Sequence, residues 1–189
     1  MITEIIIVAS GIFVFIALIV SGWGIHVFNY LTSGKLNVEQ QWANVKAEYQ
    51  RRYDMLPNLA EAVKSFKKHE AITYPKIAEL RSSVNFKGDK AKTMKSMNSL
   101  DSFFSKLMMV NEKYPELKSK LHEDLLKEIR ITEDRVNVAR TDYNDVVREY
   151  NLAVKTFPSN IIAHIMRFGL ETMYNSNEGT EKTPKIDLS

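Results

Sequence analysis

An uncharged apolar run near the N-terminus constrains this chain more than any other feature. From Ile5 to Ile25 the sequence reads IIIVASGIFVFIALIVSGWGI, without a charged residue. A helix of that length is about 30 Å long, which matches the hydrocarbon core of a bilayer. Trp23 and Tyr30 lie at its C-terminal end, where amphipathic aromatic side chains prefer the headgroup region. A cleavable signal peptide would have a basic start and a shorter apolar core, so the run predicts an uncleaved membrane anchor.

The charges predict an orientation for this anchor. All 26 Lys and Arg residues lie in 35–189, whereas 1–34 contain one acid, Glu4. The first cations after the run are Lys35 and Lys46. The positive-inside bias then places the N-terminus outside and the rest of the chain in the cytoplasm. We therefore expect a single-pass protein of the cell (inner) membrane.

Small residues recur within the apolar run. Ser10, Ala17 and Gly24 are spaced seven residues apart. Small residues on one face let helices approach closely in lipid, so this stripe is a candidate surface for self-association. The alternative is that a long apolar run contains small residues by chance.

The rest of the chain carries apolar residues in heptads, a period of about 3.5 that is typical of helices packed along their length. The first seam is Val38, Trp42, Val45, Tyr49, Leu56, Leu59, Val63 and Phe66, with Arg52 in the one gap. The last seam is Leu121, Leu125, Ile129, Thr132, Val136, Ala139, Tyr143, Val146, Tyr150, Val154 and Phe157. Between them, a helix over about 91–113 carries Met94, Met97, Leu100, Phe104, Leu107 and Met108 on one side.

Proline and glycine predict where the helices break. Pro57 should interrupt the first seam near Asp54, Pro75 should make another break, and Pro158 should end the last long helix. Asn85–Asp89 is typical of a loop, and Gly34 in the sequence Ser-Gly-Lys is expected to loosen the junction after the anchor.

Together these patterns predict an all-α fold. It consists of an N-terminal transmembrane helix followed by a long antiparallel bundle of three to four helices with coiled-coil-like packing. With 7 Gly and 5 Pro the chain has few residues for a turn-rich β fold. We expect an anchor and junction over 1–34, a helical bundle over 35–174 and a disordered polar tail over 175–189.

Several motifs resemble those of the LemA family. They are WANVKAEYQRRYDMLPNLAEAVKSFKKHE at 42–70, YPELK at 114–118, TEDRVNVARTDYNDVVREYN at 132–151 and FPSNIIA at 157–163. The resemblance implies a membrane-anchored helical bundle of a bacterial type with a short outer N-terminus. The family has no established biochemical activity, so the resemblance implies a location and a shape but no reaction.

Polar residues beside the seams are candidate structural or interaction residues. A polar residue at such a position costs stability but fixes helix register and partner number. Arg52 and Arg135 would act in this way if they were buried against Asp54 or Glu133. These groups either satisfy one another within a monomer or define a surface for self-association or for a partner. With the motif and stripe residues, the candidates are Ser10, Ala17, Gly24, Trp42, Arg51, Arg52, Asp54, Pro57, Asn58, Arg135, Arg140, Tyr143, Asn144, Tyr150, Asn151, Phe157 and Pro158.

The residue types that usually carry catalysis or metal binding are absent or scattered. The chain has no cysteine, which excludes disulfides, thiolate zinc sites and a cysteine nucleophile. His69-Glu70 begins like a zincin motif, but Thr73 stands where the second histidine would be. No phosphate-binding loop, nucleophile elbow or dinucleotide fingerprint occurs. We expect no catalytic residue, metal or cofactor, and the mixed net charge of +3 does not indicate nucleic acid as a partner.

Two functions remain. The first is a non-enzymatic membrane scaffold, a homo-oligomer that contacts the lipid bilayer and organises or shapes it. The alternative is an adaptor or regulatory partner of another membrane protein, such as a protease or a signalling receptor.

Overall fold

The computed structural model describes residues 1–64, 70–113 and 120–175, and every regular element in these ranges is helical. This confirms the all-α prediction. The elements are α1 (Ile2–Asp54), α2 (Leu56–Lys64), α3 (Glu70–Ser83), α4 (Lys90–Lys113), α5 (Lys120–Lys155) and α6 (Ser159–Ile165). Apart from Asn175, the predicted polar tail lies outside the described residues, as does His69.

The first helix contains the predicted anchor. It is the one helix among the described residues that is long and apolar enough to cross a membrane, and no part of its most apolar window is buried within the protein. The helix continues without a break through Gly34, where the sequence predicted a loosened junction. A residue without a side chain fits this position well, because a Cβ here would be crowded at 3.2 Å from Cδ2 of Tyr150.

The breaks predicted at Pro57 and Pro75 have opposite outcomes in the structure. The break before Pro57 is confirmed, since α1 ends at Asp54 and α2 begins at Leu56. The proline falls in the first turn of α2, where a missing N–H costs little. The break at Pro75 is wrong, because this residue lies inside α3. It occupies the second turn of the described helix, where it removes one backbone N–H donor, and the helix continues through it to Ser83.

Backbone packing divides the described residues into two compact units, the first formed by 1–41 with 144–173 and the second by the described residues of 42–143 with 174–175. The core of the second unit follows the predicted seams. Its fully buried members include Val45, Tyr49, Leu56, Leu59, Ile77, Leu80, Met97, Leu100, Ile129 and Tyr143. Burial of these side chains supplies most of the driving force for packing the helices.

The first unit has a smaller core, which α1 forms with the end of α5 and with the α6 segment. Val27, Leu31 and Ala163 are buried there, and Trp23, Ala153, Val154, Ile162 and Phe168 pack against them. Two predictions for the last seam are wrong in this unit. Val147 is fully buried whereas Val146 is only partly buried, and Phe157 is 75% exposed. Since α5 ends at Lys155, the heptad cannot direct residue 157 toward the seam.

Candidate functional site

Six polar residues of the second unit meet in what we call the Arg–Asp cluster. Two come from α1, two from α4, one from α5 and one from the segment after α6, in chain order Tyr49, Arg52, Asn98, Asp101, Arg140 and Tyr174. The members that share a helix are three residues apart, which places them on the same face. The cluster therefore joins four segments that are distant in sequence.

Asp101 is the centre of this cluster. Its Oδ1 accepts a hydrogen bond from Arg52 Nη1 at 2.6 Å. Its Oδ2 accepts from the hydroxyl of Tyr49 at 2.7 Å and from Nη2 of Arg140. One carboxylate thus serves three donors, and bonds between charged groups are the stronger class of hydrogen bond.

Tyr174 brings the segment after α6 into the cluster. Its hydroxyl lies 2.9 Å from that of Tyr49 and donates to Asn98 Oδ1 at 2.9 Å. The two tyrosine rings are stacked with centroids 6.2 Å apart. The guanidinium carbon of Arg140 lies 4.6 Å from the centroid of the Tyr174 ring. This geometry combines hydrogen bonds with a cation–π contact.

The cluster carries an excess of positive charge, because two guanidinium groups share one carboxylate. Arg52 is only 3% exposed, and the Nε atoms of Arg52 and Arg140 are buried without a hydrogen-bond partner. Aromatic faces compensate in part, since the Arg52 guanidinium lies 5.1 Å from the centroid of the Phe104 ring. Such a site tolerates the loss of its carboxylate poorly.

The pKa shifts of Tyr49, Tyr174 and Arg140 argue against acid–base chemistry by these three groups at neutral pH. Burial, followed by the nearby Asp101 carboxylate, raises the pKa of Tyr49 far above its ordinary value, and burial also raises the pKa of Tyr174. Burial acts to lower the pKa of Arg140, but the Tyr49 oxygen and Asp101 outweigh it and raise that pKa. The phenols therefore stay neutral and this guanidinium stays charged, so none of the three would exchange protons near pH 7.

The partners expected for the two arginines are different in the structure. Arg52 is buried as the seam position implied, but it pairs with Asp101 rather than with Asp54. Asp54 is exposed and accepts a hydrogen bond from Gln50. Arg135 is also exposed, so it does not take the buried role that was considered for it. Arg140, a candidate from the motif alone, is the second cation of the cluster.

Sequence reasoning missed Asp101, Asn98 and Tyr174, although a signal for the first was present. Asp101 is the sole acid between Lys90 and Val110. It also falls at the heptad spacing set by Met97 and Phe104, so it interrupts an apolar stripe as Arg52 does in α1. Two opposite charges in two apolar seams are a signature of a buried pair.

The Tyr-Asn pairs of α5 make contacts within the chain. Tyr143 is buried, and its ring centroid lies 5.3 Å from that of Trp42. The hydroxyl of Tyr150 donates to the backbone oxygen of Gly169 at 3.0 Å. Nδ2 of Asn151 donates to the backbone oxygen of Glu171 at 2.8 Å, and the Glu171 N–H donates to Asn151 Oδ1 at 2.9 Å. Asn144 is half-buried. Whether these residues also form a surface for another molecule stays a prediction.

The three small residues of the span have different surroundings. Ser10 and Ala17 are exposed, and the Ser10 hydroxyl donates to the backbone oxygen of Ile7. Gly24 is half-buried, and a Cβ there would lie 3.7 Å from Cδ1 of Ile162 in α6. The Gly24 end of the stripe therefore already has a partner within the chain.

The remaining candidates lie on the surface. Arg51 is exposed and forms an ion pair with Glu48 at 3.3 Å. Pro57 and Asn58 are exposed on α2, and Phe157 and Pro158 are exposed in the turn before α6.

A cleft of about 370 Å³ lies between α1 and α5 in the first unit. Its polar lining includes Ser33, Asn37, Gln40 and Glu149, and the Tyr150 ring forms part of its wall. Within the described part of the chain, no three acidic or histidine side chains are grouped so that they could hold a metal ion.

Comparison with known proteins gives two matches. The model of the LemA family matches residues 41–188, which is most of the chain beyond the apolar run. Protein LemA of Metamycoplasma hominis is 28% identical over 137 residues, and the match covers 71% of this chain and 63% of that protein. The chain therefore spans less than two thirds of the length of this curated relative.

Proposed function

The chain belongs to the LemA family, and from that membership we propose that it is a non-enzymatic, single-pass membrane scaffold that associates with copies of itself. The LemA family is not a known enzyme family. The buried Arg–Asp cluster fits this proposal, because its groups are suited to holding helices together rather than to transferring protons.

The observation that carries the proposal is the exposure of the apolar part of α1. Its large side chains from Ile5 to Val20 are all exposed, and none is covered by another described element. A buried helix of a soluble core would show the opposite. Such a surface would be unstable in water, and lipid, another copy of the chain or another membrane protein would cover it. The exposed Ser10 and Ala17 provide the close-approach face for another copy.

Purified full-length protein in detergent tests the self-association directly, by size-exclusion chromatography with light scattering. We expect an oligomer, and Ala17→Ile should shift it toward smaller species because the larger side chain holds helices apart. Ala9→Ile is the matched control, since it makes the same change about 80° around the helix. Gly24 is unsuitable for this test because its replacement would also press on Ile162.

The outcomes separate the two function classes. A native chain that is strictly monomeric would refute the scaffold and leave the adaptor for another membrane protein. An oligomer that Ala17→Ile and Ala9→Ile leave equally unchanged would retain the scaffold but exclude the small-residue face as its contact.

The proposed orientation has the N-terminus outside and the helical part in the cytoplasm, in line with the positions of the cations. The absence of cysteine makes single-cysteine labelling of intact cells straightforward. An impermeant thiol reagent should modify Thr3→Cys but not Ser189→Cys. The reverse pattern would contradict the orientation while leaving the anchor itself in place.

A further inference from the structure

A stripe of large apolar side chains on the α6 segment is exposed in the first unit. Ile161 and Ile165 are about one turn apart within α6, while Phe157 precedes this helix and Met166 follows it. Phe157 is 75% exposed and Ile165 is 62% exposed, while the other two are also exposed. Several large apolar side chains exposed within one short segment indicate contact with another apolar phase.

The opposite side of the same segment packs on α1 where the apolar run ends. Ile162 and Phe168 lie in the small core around Val27. Ile162 is also the neighbour of Gly24, and the Phe168 ring centroid lies 5.8 Å from that of Phe28. The start of α6 is joined to the end of α5 by the Ser159 hydroxyl, which hydrogen-bonds to the backbone oxygens of Ala153 and Thr156. The segment is therefore held beside this part of α1 with its stripe uncovered.

These contacts give the segment a position along the proposed span. The neighbours of this segment on α1 are Gly24, within the last turn of the apolar run, and Phe28. At 1.5 Å per residue, Phe28 lies about 4.5 Å beyond Ile25 along the helix axis. The headgroup layer on each side of a bilayer is roughly 5–8 Å thick. The α6 segment is thus at the height of the boundary between acyl chains and headgroups.

The charges around the stripe complement an anionic lipid surface. Residues 152–170 contain no Asp or Glu, although the chain has 23 acidic residues in all. Lys155 and Arg167 flank the stripe, and both are exposed. Aromatic and aliphatic side chains accompanied by cations, without acids, are the composition of segments that lie in the plane of the interface.

We propose that residues 157–168 form a second membrane contact, in which the stripe enters the lipid at the cytoplasmic interface beside the end of the anchor. The occupant of this face is the lipid bilayer, to which Lys155 and Arg167 add contacts with lipid phosphates. The inference rests on the proposed membrane anchor, because α6 takes its height from α1.

Fluorescence quenching in vesicles tests this contact with the full-length chain. Single cysteines labelled with an environment-sensitive dye would replace Ile165 on the stripe, Phe15 in the anchor and Leu36 on α1. Leu36 is the matched control, because it is 60% exposed but lies about 16 Å beyond Ile25 along α1. The vesicles are phosphatidylcholine with phosphatidylglycerol, and they carry a nitroxide either near the carbonyl or near the methyl end of the acyl chain.

The dye at Ile165 should be quenched several-fold more by the shallow nitroxide than the dye at Leu36, which should respond to aqueous iodide instead. The dye at Phe15 should respond most to the deep nitroxide. Labelling Phe157→Cys repeats the stripe measurement in case Ile165→Cys disturbs α6, and circular dichroism verifies that each variant is helical.

Three results would overturn either the interfacial contact or the membrane anchor, and the measurements distinguish them. If Phe15 is quenched by lipid but both stripe positions behave like Leu36, the interfacial contact is wrong and the anchor stands. If Phe15 is also accessible to iodide, the anchor itself is wrong. If the stripe positions are shielded from lipid and from iodide alike, protein covers the stripe, and the assignment to lipid fails.

Discussion

Asp101→Asn is the substitution whose effect follows most directly from the contacts of the Arg–Asp cluster. The side chain keeps its shape but loses its charge, so it can no longer neutralise either guanidinium group. Arg52 and Arg140 would then face each other's charge across a site where their Nε atoms already have no hydrogen-bond partner.

The size of the effect can be worked from the geometry. Breaking a buried ion pair by removing one partner costs about 3–5 kcal/mol, because an uncompensated charge remains. The Asp101 side chain is 24% exposed while that of Arg52 is 4% exposed, so solvent screens the site in part. We therefore expect Asp101→Asn to lower the free energy of unfolding by about 3 kcal/mol. For a chain of this size that corresponds to a fall in Tm of roughly 6–12 °C.

Urea unfolding of the full-length protein in detergent, followed by the helical circular dichroism signal, measures this loss. Asp142→Asn is the matched control, since Asp142 is an exposed acid on α5 and its loss should change stability by no more than about 0.5 kcal/mol. Adding Arg52→Met to the Asp101→Asn variant should recover part of the loss, because it removes one unpaired charge. If Asp101→Asn is as mild as the control, the cluster does not hold the helices together and the reasoning is wrong.

Three further predictions concern other contacts. Since burial raises the pKa of Tyr49 above its ordinary 10.0, the folded state keeps a proton that the unfolded state releases, and stability should fall as pH rises above about 10. In urea titrations, Tyr49→Phe should make this fall shallower by about 1.4 kcal/mol per pH unit. Asn151→Leu should cost about 1–3 kcal/mol and speed hydrogen exchange of the Glu171 amide, whereas Asn137→Leu on the exposed face of α5 should do neither. Asp89 caps α4, because its carboxylate accepts a hydrogen bond from the Lys92 N–H, and this bond lowers the pKa of Asp89. Asp89→Ala should therefore lower Tm at neutral pH. The difference in Tm between this variant and the native chain should shrink as the pH falls below 3.8.

The helical architecture and most of its core were predictable, because they follow from local spacing. The residues assigned to the first seam from Val38 to Leu59 are all buried, and so are most of those assigned to α5. The gap at Arg52 correctly marked an unusual buried position. Its partner was not predictable from α1 alone, because a heptad shows which face of a helix is buried but leaves its alignment with other helices open.

The errors arose where a pattern was extended past the element that carries it. Phe157 continues the heptad of α5 in sequence, but the helix ends at Lys155, so the side chain leaves the seam. Pro75 was read as a break from its residue type, although α3 continues through it. Tyr174 was missed because it stands at the edge of a polar tail, where no periodicity relates it to Tyr49.

The hydrogen bonds of the segment after α6 decide where the chain can be shortened. The last described helix ends at Ile165, and helix boundaries alone would place a truncation there. Such a cut would remove the backbone groups that Tyr150 and Asn151 bind, as well as the phenol that lies on Arg140. A shortened chain therefore keeps these contacts only if it extends at least to Tyr174, nine residues past the last described helix, and tags or fusions belong beyond that point.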